Sequence, residues 1–190
     1  MEVLLTRKIK ANMKHFKRAF KTYQETHNSL NKYVDALKDE DTQIRDKELQ
    51  LEREYQKAGE KARSELIDFT RTEKVEYGDV LSDLFVEAIK EENWDNLYLY
   101  LQISEFFEIK NDISEKIAWC IDEILKREEI GEWSKGALVE FLMDLFHPKI
   151  MNQSIIHETA KKIIESLDGD ETHDNYHAVN KSKYILGNVK

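Results

Sequence analysis

Breakers are scarce in this sequence. One proline, Pro148, and six glycines are spread over 190 residues, too few for the turns that an extensive β-sheet requires. One cysteine, Cys120, excludes an internal disulfide, and no Cys/His set at zinc-finger spacing is present, which points to a reducing compartment. Nowhere do eighteen apolar residues run consecutively, so no membrane-spanning helix is expected. The apolar triplet Val3 to Leu5 is interrupted by Arg7, Lys8 and Lys10, unlike a signal peptide. The glycines stand singly, so no phosphate-cradling loop exists. These absences lead to the expectation of a soluble, cytoplasmic, all-α protein.

What is present is a long amphipathic pattern. From Ile9 to Phe69 apolar residues recur at three- and four-residue steps, through Met13, Phe16, Phe20, Tyr23, Leu30, Val34, Leu37, Ile44, Leu51, Tyr55, Ala58, Ala62 and Leu66. Such a seam buries one narrow stripe against another helix. Two arrangements satisfy it. A continuous rod of sixty residues would be roughly 90 Å long and would need a second chain. A fold-back near Asp39 to Asp41 would instead set Tyr23 opposite Ala58, Phe20 opposite Ala62 and Phe16 opposite Leu66, with large facing small at two of these levels. The antiparallel hairpin is the preferred reading, with a homo-oligomer through the seam as the other.

Charge is unevenly placed. Residues 1–38 hold nine Lys or Arg against three Asp or Glu, a net +6, so the remaining residues carry −15 of the total −9. Folding back would bring this basic arm beside Glu52, Glu54, Glu60 and Glu65 of the second.

After Gly78 the pattern changes to shorter helices. Asp79 is a candidate N-cap for a helix with Val80, Leu81, Leu84, Phe85, Ala88 and Ile89 inward. A helix apolar on two faces follows from Trp94; Asn111 or Asp112 caps the next, Ser134 another, and a last long one spans Ile150 to Leu167. The expected organisation is a hairpin or coiled coil over 1–77, a compact five-helix domain over 78–167, and a polar, mobile tail over 168–190.

Three functional readings follow. The first is a non-enzymatic adaptor or structural subunit that binds another protein of unknown identity through apolar helix faces. Its candidate contacts are Trp119, which shares a face with Glu115, Asp122 and Lys126, and the seam aromatics Phe16, Phe20 and Tyr23. The alternative is nucleic-acid binding through Arg7, Lys10, Lys14, Lys17, Arg18 and Lys21, a stripe able to follow a phosphate backbone. The third is a metal-dependent hydrolase using His173, Asp174 and His177, where HxxxH and the dipeptide His-Asp supply ligand types. That cluster lacks the apolar second layer that orients ligands, and the same stretch fails as a calcium loop, having Val179 at the twelfth position. No cofactor or resident metal is therefore expected. Cys120 falls on the apolar face of Ile113, Ile117 and Ile124, as a small core residue rather than a nucleophile.

Overall fold

A computed structural model describes residues 12–35, 42–104, 109–130, 133–146, 149–169 and 173–187, with the side chains of 42–45 and 173 excepted. All regular structure among them is α-helical, as expected. The helices are α1 (Lys14–Asp35), α2 (Thr42–Glu73), α3 (Tyr77–Lys90), α4 (Trp94–Ser104), α5 (Ser114–Lys126), α6 (Lys135–Asp144), α7 (Gln153–Leu167) and α8 (His173–Gly187). Packing groups them into two compact units, one from the described residues of Met1–Val75 and Gln102–Phe106, the other from those of Glu76–Leu101 and Phe107–Lys190.

In the first unit α1 and α2 lie side by side and antiparallel. Asn12 Nδ2 donates to Glu73 Oε1 at 2.9 Å, Tyr23 stacks on Tyr55, and Lys47 sits over the Tyr33 ring, so rising numbers on one helix meet falling numbers on the other. Phe16, Ala19, Phe20 and Tyr23 are buried from α1, and Ala58, Ala62, Leu66 and Phe69 from α2. At one level an aromatic ring of α1 passes close to a residue of α2 that has no side chain: a Cβ at Gly59 would lie 3.0 Å from the Tyr23 ring. Arg63 Nε donates to the Ile103 carbonyl at 3.1 Å, satisfying an acceptor near the end of α4.

The break after α2 is made by Lys74 rather than by glycine. Lys74 takes a left-handed φ of 55°, and Val75 N–H donates back to Thr70 O at 3.0 Å, closing the helix by a Schellman turn. Gly78 is instead buried inside α3, where a Cβ would meet Asn111 Oδ1 at 2.5 Å. The expected cap Asp79 accordingly lies in the first turn of α3, with Glu76 at the flank.

In the second unit α5 packs on α3, α6 and α7, while α8 packs on α6 and α7. Ile117, Cys120, Ile121 and Ile124 of α5 meet a core that includes Leu138, Val139 and Leu142 of α6 and Ile156, Ala160 and Ile163 of α7, all buried. Side-chain caps define the starts: Asn93 Oδ1 accepts from Asn96 N–H, Ser134 Oγ from Ala137 N–H, and Asn152 Oδ1 from Ser154 N–H. Asp112 Oδ1 accepts from Ser114 N–H at 2.9 Å. Burial works against the charge on Asp112, but hydrogen bonds from Ser114 and the Asn152 backbone outweigh it and hold the carboxyl below its usual value. Its contribution to stability is therefore present at neutral pH and is lost as pH falls through that lowered value.

The polar tail expected over 168–190 is corrected within its described part. Residues 173–187 form α8, whose Asn175, Ala178, Val179 and Ser182 are buried. Ser182 Oγ donates to Ala178 O at 2.8 Å and lies 3.6 Å from Met143 Sδ of α6. The close approach depends on Gly136, where a Cβ would stand 2.5 Å from the Asn175 backbone nitrogen. Gly136→Ala must therefore push two backbones apart, and we expect a loss of about 2 kcal/mol in unfolding free energy. Faster hydrogen exchange across α8 would locate the damage; unchanged exchange and stability would contradict this account.

Candidate interaction surfaces

The hairpin does not bury its seam along its full length. A polar-aromatic layer marks the change: Tyr23 Oη donates to Tyr55 Oη at 2.9 Å, the rings stack with centroids 4.9 Å apart, and the buried His27 ring lies 5.6 Å from Tyr55. Asn31 Nδ2 stands 3.3 Å from His27 Nε2. Beyond this layer Leu30 and Leu51 are only half-buried, and Val34 and Leu49 are each 45% exposed. Two helices alone cover one stripe, so the distal apolar residues remain in water.

The seam aromatics singled out as partner contacts are placed otherwise. Phe16, Phe20 and Tyr23 are buried inside the hairpin, with Phe16 only 2% exposed and its ring 5.6 Å from that of Phe20. They are committed to packing against α2, so they present no stacking surface to a partner or to a nucleic-acid base. Of the basic stripe, Arg7 and Lys10 lie outside the described residues. Lys14, Lys17, Arg18 and Lys21 are exposed on α1, with Lys21 Nζ 3.9 Å from Glu25. The second arm is not the acidic counterpart that the overall charge suggested: α2 holds seven basic and eight acidic residues. The acidity is concentrated instead in the sequence after it.

In the second unit Trp119 is half-buried, with Lys90 Nζ 5.7 Å from the centre of its ring, so the protein's own cation sits over one face. Cys120 is fully buried, and burial, only partly opposed by Lys116, pushes its thiol far above its ordinary value. Of the proposed metal ligands, the His173 side chain lies outside the described residues. Asp174 is half-buried, and exposed His177 makes an edge contact with Tyr176. Among the described residues no group of three His, Cys, Asp or Glu is placed to hold a metal, and no helix is long and apolar enough to cross a membrane.

Two features of this unit were not anticipated. Asp83, on α3, pairs with Lys116 of α5 at 2.7 Å, and Asp79 lies 3.8 Å from the same ammonium. Both partners are nearly enclosed, the Asp83 side chain 6% exposed and that of Lys116 12%. The signal was a lone acid amid the run VLSDLFV. The second is an open cleft of about 430 Å³ where α3 turns into α4: residues 91–95 line one side, Ile130 and Trp133 the other. Trp133 Nε1 donates to Asp95 Oδ1 at 2.9 Å, and its ring stacks on Tyr98 with centroids 4.3 Å apart. Trp133, which precedes the Ser134 cap, thus makes its polar and stacking contacts to α4. Tyr98 meets Phe141 edge-on, completing an aromatic wall. No family model matches the chain, and no curated protein or solved structure matches it.

Proposed function

We propose that the protein is a non-enzymatic helical interaction module whose contact surface is the distal part of the α1–α2 hairpin, and that its occupant is the same surface of a second copy. The observation that carries this reading is the exposure of Val34, with Leu30 and Leu51 half-buried, at the distal end of a seam that is sealed from Phe16 to Tyr23. Charge favours self-association over a partner of one sign. Lys32, Lys47 and Arg53 lie close in sequence to Asp35, Asp46, Glu48 and Glu52, so two copies meeting by a two-fold axis can set opposite signs together. A four-helix contact of this kind would cover the stripe that two helices leave open.

Sedimentation velocity of the full chain over a concentration series tests it. The expected result is a monomer–dimer equilibrium established by ~100 µM, as for a micromolar dissociation constant. Val34→Lys should give a monomer with the thermal midpoint retained, because the side chain is already largely in water. A chain that stays monomeric throughout, or a dimer indifferent to the substitution, would defeat the reading.

A further inference from the structure

We propose that the cleft at the α3–α4 corner is a binding site for an organic cation of the alkylammonium class, such as a trimethylammonium group. This stands apart from self-association through the hairpin, since every lining residue belongs to the second unit.

The chemistry of the lining selects the class of ligand. Five consecutive lining residues include three carboxylates, Glu91, Glu92 and Asp95, together with Trp94, and Trp133 lines the cleft from a separate segment, one face of its ring on Tyr98. None of the described lining residues is basic. Helix dipoles do not reverse this sign, because the C-terminal end of α3 and the N-terminal end of α4 meet here and their partial charges oppose one another. An anion would meet net negative charge, since Arg127 balances only Glu92, and an uncharged apolar ligand would have carboxylates for neighbours. A small metal ion would need oxygens converging at about 2.0–2.6 Å, and no such set exists among the described residues. A weakly hydrated cation with methyl groups gains from both components, the π faces and the surrounding negative charge. The volume of about 430 Å³ lies within the ordinary range for small-molecule sites.

The site is also held in place before any ligand arrives. Glu92 adopts a left-handed φ of 53°, with Glu92 N–H donating to Ile89 O at 3.1 Å and Asn93 N–H to Ala88 O at 2.9 Å, which fixes the corner. Arg127 pairs with Glu92, and Asp95 accepts from the Trp133 indole, so two of the three carboxylates are oriented by protein groups. Exposed Glu91 has no ion pair among the described residues, leaving its charge for an incoming cation. A preformed wall avoids the entropy loss of ordering side chains on binding.

The experiment uses the full chain, labelled with ¹⁵N and titrated with choline, and in parallel with 3,3-dimethylbutan-1-ol, its neutral carbon isostere. The sequence holds three tryptophans, so three indole N–H signals report, and Trp119 does not line the cleft. The expected result is saturable movement of the Trp94 and Trp133 signals with Trp119 unmoved. The isostere should bind about three- to fivefold more weakly, the size of a cation–π contribution at an open site. Glu91→Gln should weaken choline by a similar factor while leaving the thermal midpoint unchanged. Equal response to the isostere, shifts that rise linearly without saturating, or equal movement of all three indoles would overturn the proposal.

Discussion

Replacing Lys116 with methionine is expected to lower the unfolding free energy by about 3 kcal/mol, because it leaves the Asp83 carboxylate enclosed without a cation. The pair is short, at 2.7 Å, and both side chains are largely out of water. Asp83 Oδ2 accepts no hydrogen bond among the described residues, so the lysine supplies most of the compensation the carboxylate receives. The apolar double variant Asp83→Leu with Lys116→Met should recover most of the loss, since replacing both charges removes the desolvation penalty along with the attraction. Urea denaturation of the two variants and the parent decides the matter. A single substitution costing less than about 1 kcal/mol, the value of a surface pair, would mean that water reaches the pair in solution. Asp79, 3.8 Å from Lys116, is more exposed, and its removal should cost much less.

Phe16→Ala is expected to cost about 4 kcal/mol, the usual range for removing a buried aromatic ring. Phe16 is among the largest fully buried side chains and packs between turns of the hairpin beside Phe20. Val34→Ala, at the exposed end of the same helix, should change stability by less than about 0.5 kcal/mol. The contrast separates the two ends of one seam. Hydrogen exchange should show the Phe16 variant opening along α1 and α2, whereas the Val34 variant should alter association instead. If Phe16→Ala left stability intact, the ring would be a surface contact, and the hairpin would not be sealed where the structure seals it.

These two ends show how far periodicity reaches. The three- and four-residue steps from Met13 to Phe69 marked the stripe that leaves water, and the buried residues of α1 and α2 fall on it. The same steps continue past Leu30, where the stripe is only partly covered. Nothing in the spacing distinguishes the two ends, because burial depends on what lies opposite. The charge imbalance was similarly legible in total but not in place: with seven basic and eight acidic residues, α2 is close to neutral, and the excess acidity lies after it.

The second unit gives the same lesson. Ile117, Ile121 and Ile124 announced the inward face of α5, but the partner of Asp83 is 33 residues distant in sequence and no local pattern links them. In α8 the buried residues Asn175, Ala178, Val179 and Ser182 are small or polar, so a composition rich in His, Asp and Asn resembled a solvated end. Its place is set by Gly136, whose missing Cβ lets a second backbone approach. The cleft joins residues 91–95 to Trp133 across some forty residues, and the sequence shows these only as a helix break and a cap.

By itself the sequence determined the helical class, the inward faces and the Ser134 cap, because propensity, period and capping act within a few residues and need no distant partner. Only the tertiary structure decided that Phe16 and Tyr23 are sealed while Val34 and Leu49 face water, that Asp83 meets Lys116, that residues 173–187 dock as a helix, and that two tryptophans share a cleft with three carboxylates. Each of those depends on which surfaces meet, and a contact between residues far apart in the chain leaves no mark on the local pattern of either.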